Sequence, residues 1–354
     1  MSDGLKDRIP PSLFGRRSRD PFWVAVHTVF TGLERAMALR TAPAPPIRPV
    51  DRGLRLVVRA VVPEAEDVVS LRLAAPDGRD LPRWWPGSHL DVLLPSGRRR
   101  QYSLCGDPGD RTSYRIAVRR LPAGAGGSRE IHDAVAAGDE LTVTGPRNAF
   151  PFLARERYRF VAGGIGITPI LPMVRAAHRA GADWTLVYAG RSRASLAFLG
   201  ELADLPAERV IVRTDDEHGA PSGADLLAGV EPGTAVYCCG PAPMLDAVRG
   251  AFPDGATLHF ERFAPAPITD GRPFEVDLAR TGVVLPVPAD RSALDVIREA
   301  VPEVAYSCRQ GFCGTCRVGL LAGDADERAV SDAADDGLLI CVSRASGGRL
   351  TLDL

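Results

Sequence analysis

Three of the seven cysteines in this 354-residue chain crowd into the segment "CRQGFCGTC", from Cys308 to Cys316. The spacing is C-x4-C-x2-C, with Gly311 and Gly314 between the thiols. Three neighbouring thiols cannot all close into disulfides, and a zinc site usually repeats a cysteine pair or adds histidines. None of the six histidines lies near this stretch. The spacing instead suits thiolate ligation of a 2Fe–2S cluster, which requires a fourth cysteine further on. Cys341, in "LLICVSRA", supplies it, so the expected ligands are Cys308, Cys313, Cys316 and Cys341. The two glycines allow the tight turns with which such a loop aims its amides at the cluster sulfurs.

Other stretches suit phosphates and aromatic rings. In "RQYSLCGDP", strand alternation places Arg100 and Tyr102 on one face and Ser103 on the other. In "GAGGSREIHDAV", glycines run into a helix with Ser128 as the expected N-cap. Gly126, Gly127 and Ser128 would then offer amides and a positive helix end to a phosphate. Alone, the first is an ordinary strand and the second an ordinary cap. "RFVAGGIGITPILPMV" reads as strand Phe160–Ala162, a turn through Gly163, Gly164 and Gly166, and a helix from Pro169. This is not the G-x-G-x-x-G fingerprint, because Ile167, Thr168 and Pro169 follow Gly166. The acidic residue expected after the second strand is also replaced, by Gly190, Arg191 and Ser192, which disfavours a standard Rossmann dehydrogenase. Arg191 and Arg193 there suit a 2′-phosphate on electrostatic grounds. A second strand-end turn, "YCCGPAPM", carries Cys238 and Cys239, which a blander reading takes as small buried apolar residues.

The elements that position these groups fall into successive patterns. From Leu54, short alternating runs separated by turn residues predict an antiparallel barrel. From Phe160, strands alternate with helices ("DWTLVYAG", "SLAFLGELADL", "ERVIVRTDD", "SGADLLAGV"), which predicts a parallel sheet covered on both faces. "LHFERF" closes that unit and "APAPITDGRP" reads as a linker. A hairpin in "FEVDLARTGVVLPVP", a helix in "RSALDVIREAV", the cysteine loop and the strand "GRLTLDL" follow. Expected boundaries are 1–50 for a helical extension with linker, 51–152, 153–264, a linker over 265–273, and 274–354. Asp20 as N-cap and Pro21 at the first helical position start a helix whose Phe22, Val26, Val29, Phe30, Leu33 and Met37 share one face. Docking on the body of the protein is the expectation, with a partner or a membrane surface as alternatives.

Composition restricts the function classes. A net charge of −1 argues against nucleic-acid binding driven by phosphate neutralisation. The polar opening residues show no secretory pattern, and His27, Glu34 and Arg35 interrupt the most apolar helix, so no transmembrane segment is expected. With four cysteines assigned to a cluster, Cys105, Cys238 and Cys239 remain as thiols, which fits a reducing, cytoplasmic location.

In this order, Arg-x-Tyr-Ser, Gly-Gly-Ser, the glycine turn with Cys-Gly-Pro, and the cysteine run resemble the ferredoxin reductase superfamily. Over about residues 54–354 the chain resembles the phthalate dioxygenase reductase and vanillate demethylase reductase family. That resemblance implies a multidomain α+β and α/β protein: a flavin-binding antiparallel β-barrel, a parallel α/β nucleotide domain and a C-terminal β-grasp ferredoxin. It implies FMN rather than FAD, a 2Fe–2S cluster, and NADH, with NADPH as the alternative. Arg100 and the Gly126–Gly127–Ser128 turn would hold phosphate, Tyr102 and Phe263 would lie near the flavin, and Ser103 would face its N5. Gly164, Gly166 and Thr168 would flank the pyrophosphate and nicotinamide, and Cys239 would approach the hydride. A nicotinamide gives two electrons together and a cluster takes one, so a flavin must stand between them. The expected partner is an oxygenase, Rieske-type or haem-thiolate, or another electron-acceptor protein. A redox-sensing iron–sulfur flavoprotein and a free-flavin reductase are the competing classes.

Overall fold

The computed structural model describes residues 21–38, 53–122, 126–263, 268–306, 309, 311, 314–328 and 337–354. The chain divides into two units, Met1–Asp51 and Arg52–Leu354. In the first, α1 (Pro21–Ala38) begins at the proline, whose fixed φ suits a helix start, and Phe22, Trp23 and Val29 on it are exposed. Asp20 lies outside the described residues.

The second unit opens with β1 (Leu54–Ala65), β2 (Val68–Ala74), β3 (Ser88–Leu93), β4 (Arg99–Ser103), β5 (Ser113–Arg119), α2 (Gly127–Ala134) and β6 (Glu140–Asn148). The strands form a six-stranded sheet in the order β4-β3-β6-β1-β2-β5. A bridge between Leu104 and Ile116, followed by the Cys105 N–H donating to the Arg115 carbonyl at 2.9 Å, joins its two edges into a barrel. Alternate residues such as Leu56, Val58, Leu71, Leu73, Leu90 and Val92 fill the interior, as the two-residue strand period requires.

Next come β7 (Arg157–Gly163), α3 (Ile167–Arg179), β8 (Asp183–Gly190), α4 (Leu199–Leu202), β9 (Val210–Thr214), α5 (Asp215–His218) and α6 (Gly223–Leu227). β10 (Ala235–Cys239), α7 (Ala242–Gly250) and β11 (Thr257–Glu261) complete the unit. All pairings in the β11-β10-β7-β8-β9 sheet are parallel. Successive β10 residues alternate between two cores: Tyr237 and Cys239 on the α3 face, Val236 and Cys238 on the α7 face. Two predicted helices shrink. "SLAFLGELADL" is helical only over Leu199–Leu202, because Leu196, Ala197 and Phe198 turn into the core, Phe198 with φ of 63°. The helix in "SGADLLAGV" stops at Leu227, before Gly229 in the left-handed region.

The last part holds β12 (Phe274–Leu278), β13 (Val283–Val287), α8 (Ala293–Ala300), β14 (Arg317–Ala322), β15 (Ala325–Asp326), β16 (Gly337–Leu339), β17 (Arg344–Ala345) and β18 (Arg349–Leu352). Its main sheet runs β13-β12-β18-β14-β16, with β12 and β18 parallel and α8 packed on one face, the β-grasp arrangement. Ser292 caps α8 by accepting from the Asp295 N–H at 3.2 Å.

Candidate active site

The barrel strand β4 behaves as alternation predicts, with consequences on both faces. Arg100 and Tyr102 pair across β3 with Val92 and Leu90, and Tyr102 packs on the barrel core. Burial pushes the Tyr102 phenol up to about 12, so it stays protonated and apolar in character. Arg100 lies against the start of α2. A Cβ at Gly127 would stand 2.7 Å from the Arg100 Nε, so the close approach of guanidinium and helix start depends on glycine. Arg98 reaches Glu130 at 3.4 Å, and Glu130 also accepts from the Ser96 N–H at 2.7 Å. The amides of an α2 start beside a guanidinium form a cradle that fits a flavin phosphate. Ser128 does not cap this helix. Gly126, in the left-handed conformation, is the N-cap, and the Ser128 hydroxyl instead accepts from the Leu121 N–H at 3.1 Å.

The opposite face of β3 and β4 is where the three parts of this unit meet. His89, Asp91 and Ser103 point away from the barrel core yet are buried, each at most 6% exposed. Ser103 stands near the carboxyl of Glu261, at the carboxyl end of β11, close enough for its hydroxyl to act weakly on that carboxyl's charge. Glu261 Oε2 is buried and makes no hydrogen bond. Burial drives this carboxyl up to about 8, the nearby Ser103 hydroxyl pulling weakly the other way. Cys239 ends the adjacent strand and pairs with Glu261 in the ladder. Its thiol is pushed well up, by burial first and then by the Glu261 charge, so it is a neutral thiol. Sequence reading missed Glu261, although ligands of such sheets lie beyond the carboxyl ends of the strands, which was the available signal.

The glycine turn faces the same edge. A short 3-10 turn, Gly164–Gly166, leads into α3, which starts at Ile167 rather than Pro169. The Thr168 hydroxyl donates to the Ile165 carbonyl at 3.0 Å and tightens that turn. A Cβ on Gly166 would stand 2.2 Å from the Cys239 carbonyl oxygen, so the two strand-end turns interlock. Phe263, just beyond β11, is 49% exposed. Further along the edge, Arg193 lies 3.6 Å from Glu217, and the Asp216 N–H donates to the Arg191 carbonyl at 3.1 Å. The carboxylates missing after β8 are thus supplied by α5, whose first turn is Asp215–Asp216–Glu217.

At the cluster loop, Cys316 and Cys341 are both buried within the ferredoxin core. They flank the paired β14 and β16, where Arg317 faces Leu339, and the Ile340 N–H donates to the Cys316 carbonyl at 3.4 Å. Arg309, Gly311 and Gly314 all take positive φ, between 56° and 82°, which suits a loop wrapped around a cluster. Cys308 and Cys313 lie outside the described residues. The loop is tied to the barrel: Arg147 of β6 pairs with Asp91 and donates to the Tyr306 carbonyl at 3.5 Å. The two described donors, Cys316 and Cys341, are soft and buried, which fits an iron–sulfur centre.

Comparison with known proteins agrees with this geometry. Residues 276–346 match the 2Fe-2S iron-sulfur cluster binding domain family, and residues 160–250 the oxidoreductase NAD-binding domain family. Phthalate dioxygenase reductase from Burkholderia cepacia is 40% identical over 319 residues, covering 86% of this chain and 98% of that one. The solved structure of a phthalate dioxygenase reductase, "a modular structure for electron transfer from pyridine nucleotides" to 2Fe–2S, superposes with a TM-score of 0.67. It is 39% identical and covers 86% of this chain and 98% of its own. An intact type IV self-sufficient cytochrome P450 monooxygenase, 39% identical, superposes with a TM-score of 0.71 over 91% of this chain and 44% of that longer one. The chain belongs to the phthalate dioxygenase reductase family: it is an NAD(P)H-dependent oxidoreductase, the reductase component of an oxygenase system, working through a flavin (FMN in this family) and a 2Fe–2S cluster.

Proposed function

We propose that NADH is the electron donor, and that hydride transfer takes place where Ser103 and Glu261 meet the turn of Gly164, Gly166 and Thr168. The observation that carries this reading is the approach of Ser103 to Glu261, which brings the end of the barrel strand beside the carboxyl edge of the nucleotide sheet. Bound flavin supplies the conversion of a two-electron hydride into single electrons for the cluster. The chain supplies position and shielding. Arg100, Gly126, Gly127 and Ser128 hold phosphate, while Tyr102 and Phe263 bound the ring site. Ser103 presents its hydroxyl at the reacting edge, beside Glu261, whose carboxyl keeps its proton below about pH 8. Cys239, a neutral thiol, packs the floor of the site without adding charge. Arg191 and Arg193 line the adenosine end. Cys308, Cys313, Cys316 and Cys341 hold the cluster, in domains bounded near residues 152, 264 and 274.

The partner is an oxygenase, Rieske-type or haem-thiolate, since relatives serve a dioxygenase or share a chain with a cytochrome P450. A reducing, cytoplasmic setting suits the thiols; no helix among the described residues is long and apolar enough to cross a membrane. Stopped-flow flavin reduction of Ser103→Ala at varied NADH tests the site. The limiting rate should fall at least tenfold with little change in NADH affinity. An unchanged limiting rate would remove Ser103 from the junction.

A further inference from the structure

One of the links between the barrel and the nucleotide unit is a carboxylate gripped by two arginines. Arg115 of β5 forms a two-pronged pair with Glu201 of α4, Nη1 to Oε1 at 2.6 Å and Nη2 to Oε2 at 3.0 Å. The Arg115 side chain is 9% exposed, and its guanidinium lies 4.7 Å from the centroid of the Phe198 ring. Its Nη2 also donates to the Cys105 carbonyl at 2.8 Å, two residues beyond Ser103. From the nucleotide side, Arg175 of α3 donates to Glu201 Oε2. Arg175 stands seven residues after Thr168, two helical turns along the same face. Through Arg115, one carboxylate therefore connects the segment just beyond Ser103 to α3, which begins at Ile167 beside Thr168.

Such a contact is poorly suited to adding net stability, because burying an ion pair costs much of what the attraction returns. It is well suited to fixing geometry, since a bidentate arginine–carboxylate pair restricts both distance and angle. Hydride transfer is sensitive to that geometry, and a misplacement of about 1 Å costs on the order of a hundredfold in rate.

We propose that Glu201 is a positioning residue for hydride transfer: by clamping Arg115 of the barrel and Arg175 of α3 it sets the approach of the flavin site to the nicotinamide site. The step concerned moves a hydride, with its electron pair, from reduced nicotinamide to oxidised flavin, so that the first is oxidised and the second reduced. Glu201 touches neither ring and takes no proton or electron. This role rests on Ser103 and Thr168 facing the same transfer site, as proposed above.

The test is Glu201→Gln, which keeps the shape and loses the charge. The limiting rate of flavin reduction by NADH should fall at least tenfold, while NADH Kd and flavin content stay within twofold of the wild type. Arg175→Met, which leaves the Arg115–Glu201 pair intact, should lose several-fold in the same rate with the same unchanged Kd. In the flavin-free protein, hydrogen exchange at residues 104–106 and 165–170 should quicken in Glu201→Gln, with the barrel strand β1 unaffected. A limiting rate equal to wild type in both variants, or a loss matched by an equal loss of NADH affinity, would overturn the positioning role. Loss of protection throughout the protein would overturn it too, by making Glu201 a general folding residue. If wild type itself were not reduced by NADH, the proposed function would fail instead, which separates the two outcomes.

Discussion

At the proposed transfer site, Glu261 and Arg193 are the single side chains through which charge would act. Glu261 titrates near 8 in the folded protein against 4.5 for an ordinary glutamate. Between those values the folded state holds a proton that the unfolded state has lost, so stability falls as pH rises through that window and levels off above it. Glu261→Gln cannot titrate there. The variant should therefore gain on the wild type from pH 5 to pH 8, by about 1.4 kcal/mol per pH unit in mid-window. Denaturant unfolding of the flavin-free proteins across that range measures it, and parallel pH curves would show that the carboxyl is ionised at neutral pH. At the other end of the site, Arg193 already faces Glu217 at 3.6 Å, and Asp215 and Asp216 stand beside them. Those carboxylates repel a 2′-phosphate and suit ribose hydroxyls. The expected result is a kcat/KM for NADH at least tenfold above that for NADPH, with Glu217→Gln narrowing the gap. A wild-type preference for NADPH would show that the arginines outweigh the carboxylates.

Secondary elements hold these groups at strand ends, where glycine is the sensitive position. Gly166→Ala would drive a methyl against the Cys239 carbonyl at 2.2 Å, and that backbone is locked in the β10 ladder with β7 and β11. Destabilisation of about 2 kcal/mol is expected, with weaker NADH binding, because one of the two interlocked turns must move. Unfolding midpoints and NADH titration would show it; a variant with unaltered affinity would mean that the turn does not form the nucleotide site. Much at this scale was legible in the sequence. Residue alternation marked the barrel strands, and the succession of strand and helix segments marked the parallel sheet, because strand period and element order are both written in residue type. The illegible parts are those where tertiary contacts override local preference. "SLAFLGELADL" reads as an amphipathic helix, but Phe198 leaves it to pack beneath Arg115, a partner far away in sequence. Ser128 reads as a cap, but the left-handed Gly126 starts the helix ahead of it. Glu261 passes unmarked within "LHFERF", and only its burial where the strand end meets the barrel makes it unusual.

At the scale of the molecule, electrons must cross two seams, and each has its own arginine. Arg115 spans the barrel–nucleotide seam; Arg147 spans that between the barrel and the cluster loop, where Asp91 is 3% exposed and Tyr306 stands two residues before Cys308. Removing the Arg147 charge would leave Asp91 buried and unpaired, a penalty of about 3–5 kcal/mol that would obscure any effect on electron flow. Arg147→Lys avoids this: the ammonium keeps its charge beside Asp91 but lacks the planar fork that also reaches the Tyr306 carbonyl. The cluster loop would then be held less closely to the barrel, while the nicotinamide side is untouched. NADH-to-ferricyanide turnover, which can draw electrons from the flavin, should stay within twofold of wild type. NADH-to-cytochrome c turnover, which draws on the cluster, should fall about three- to tenfold, with the same iron and sulfide content. Equal losses with both acceptors would place Arg147 in the flavin site, and no loss with either would show that the linker and remaining contacts suffice to hold the cluster in place.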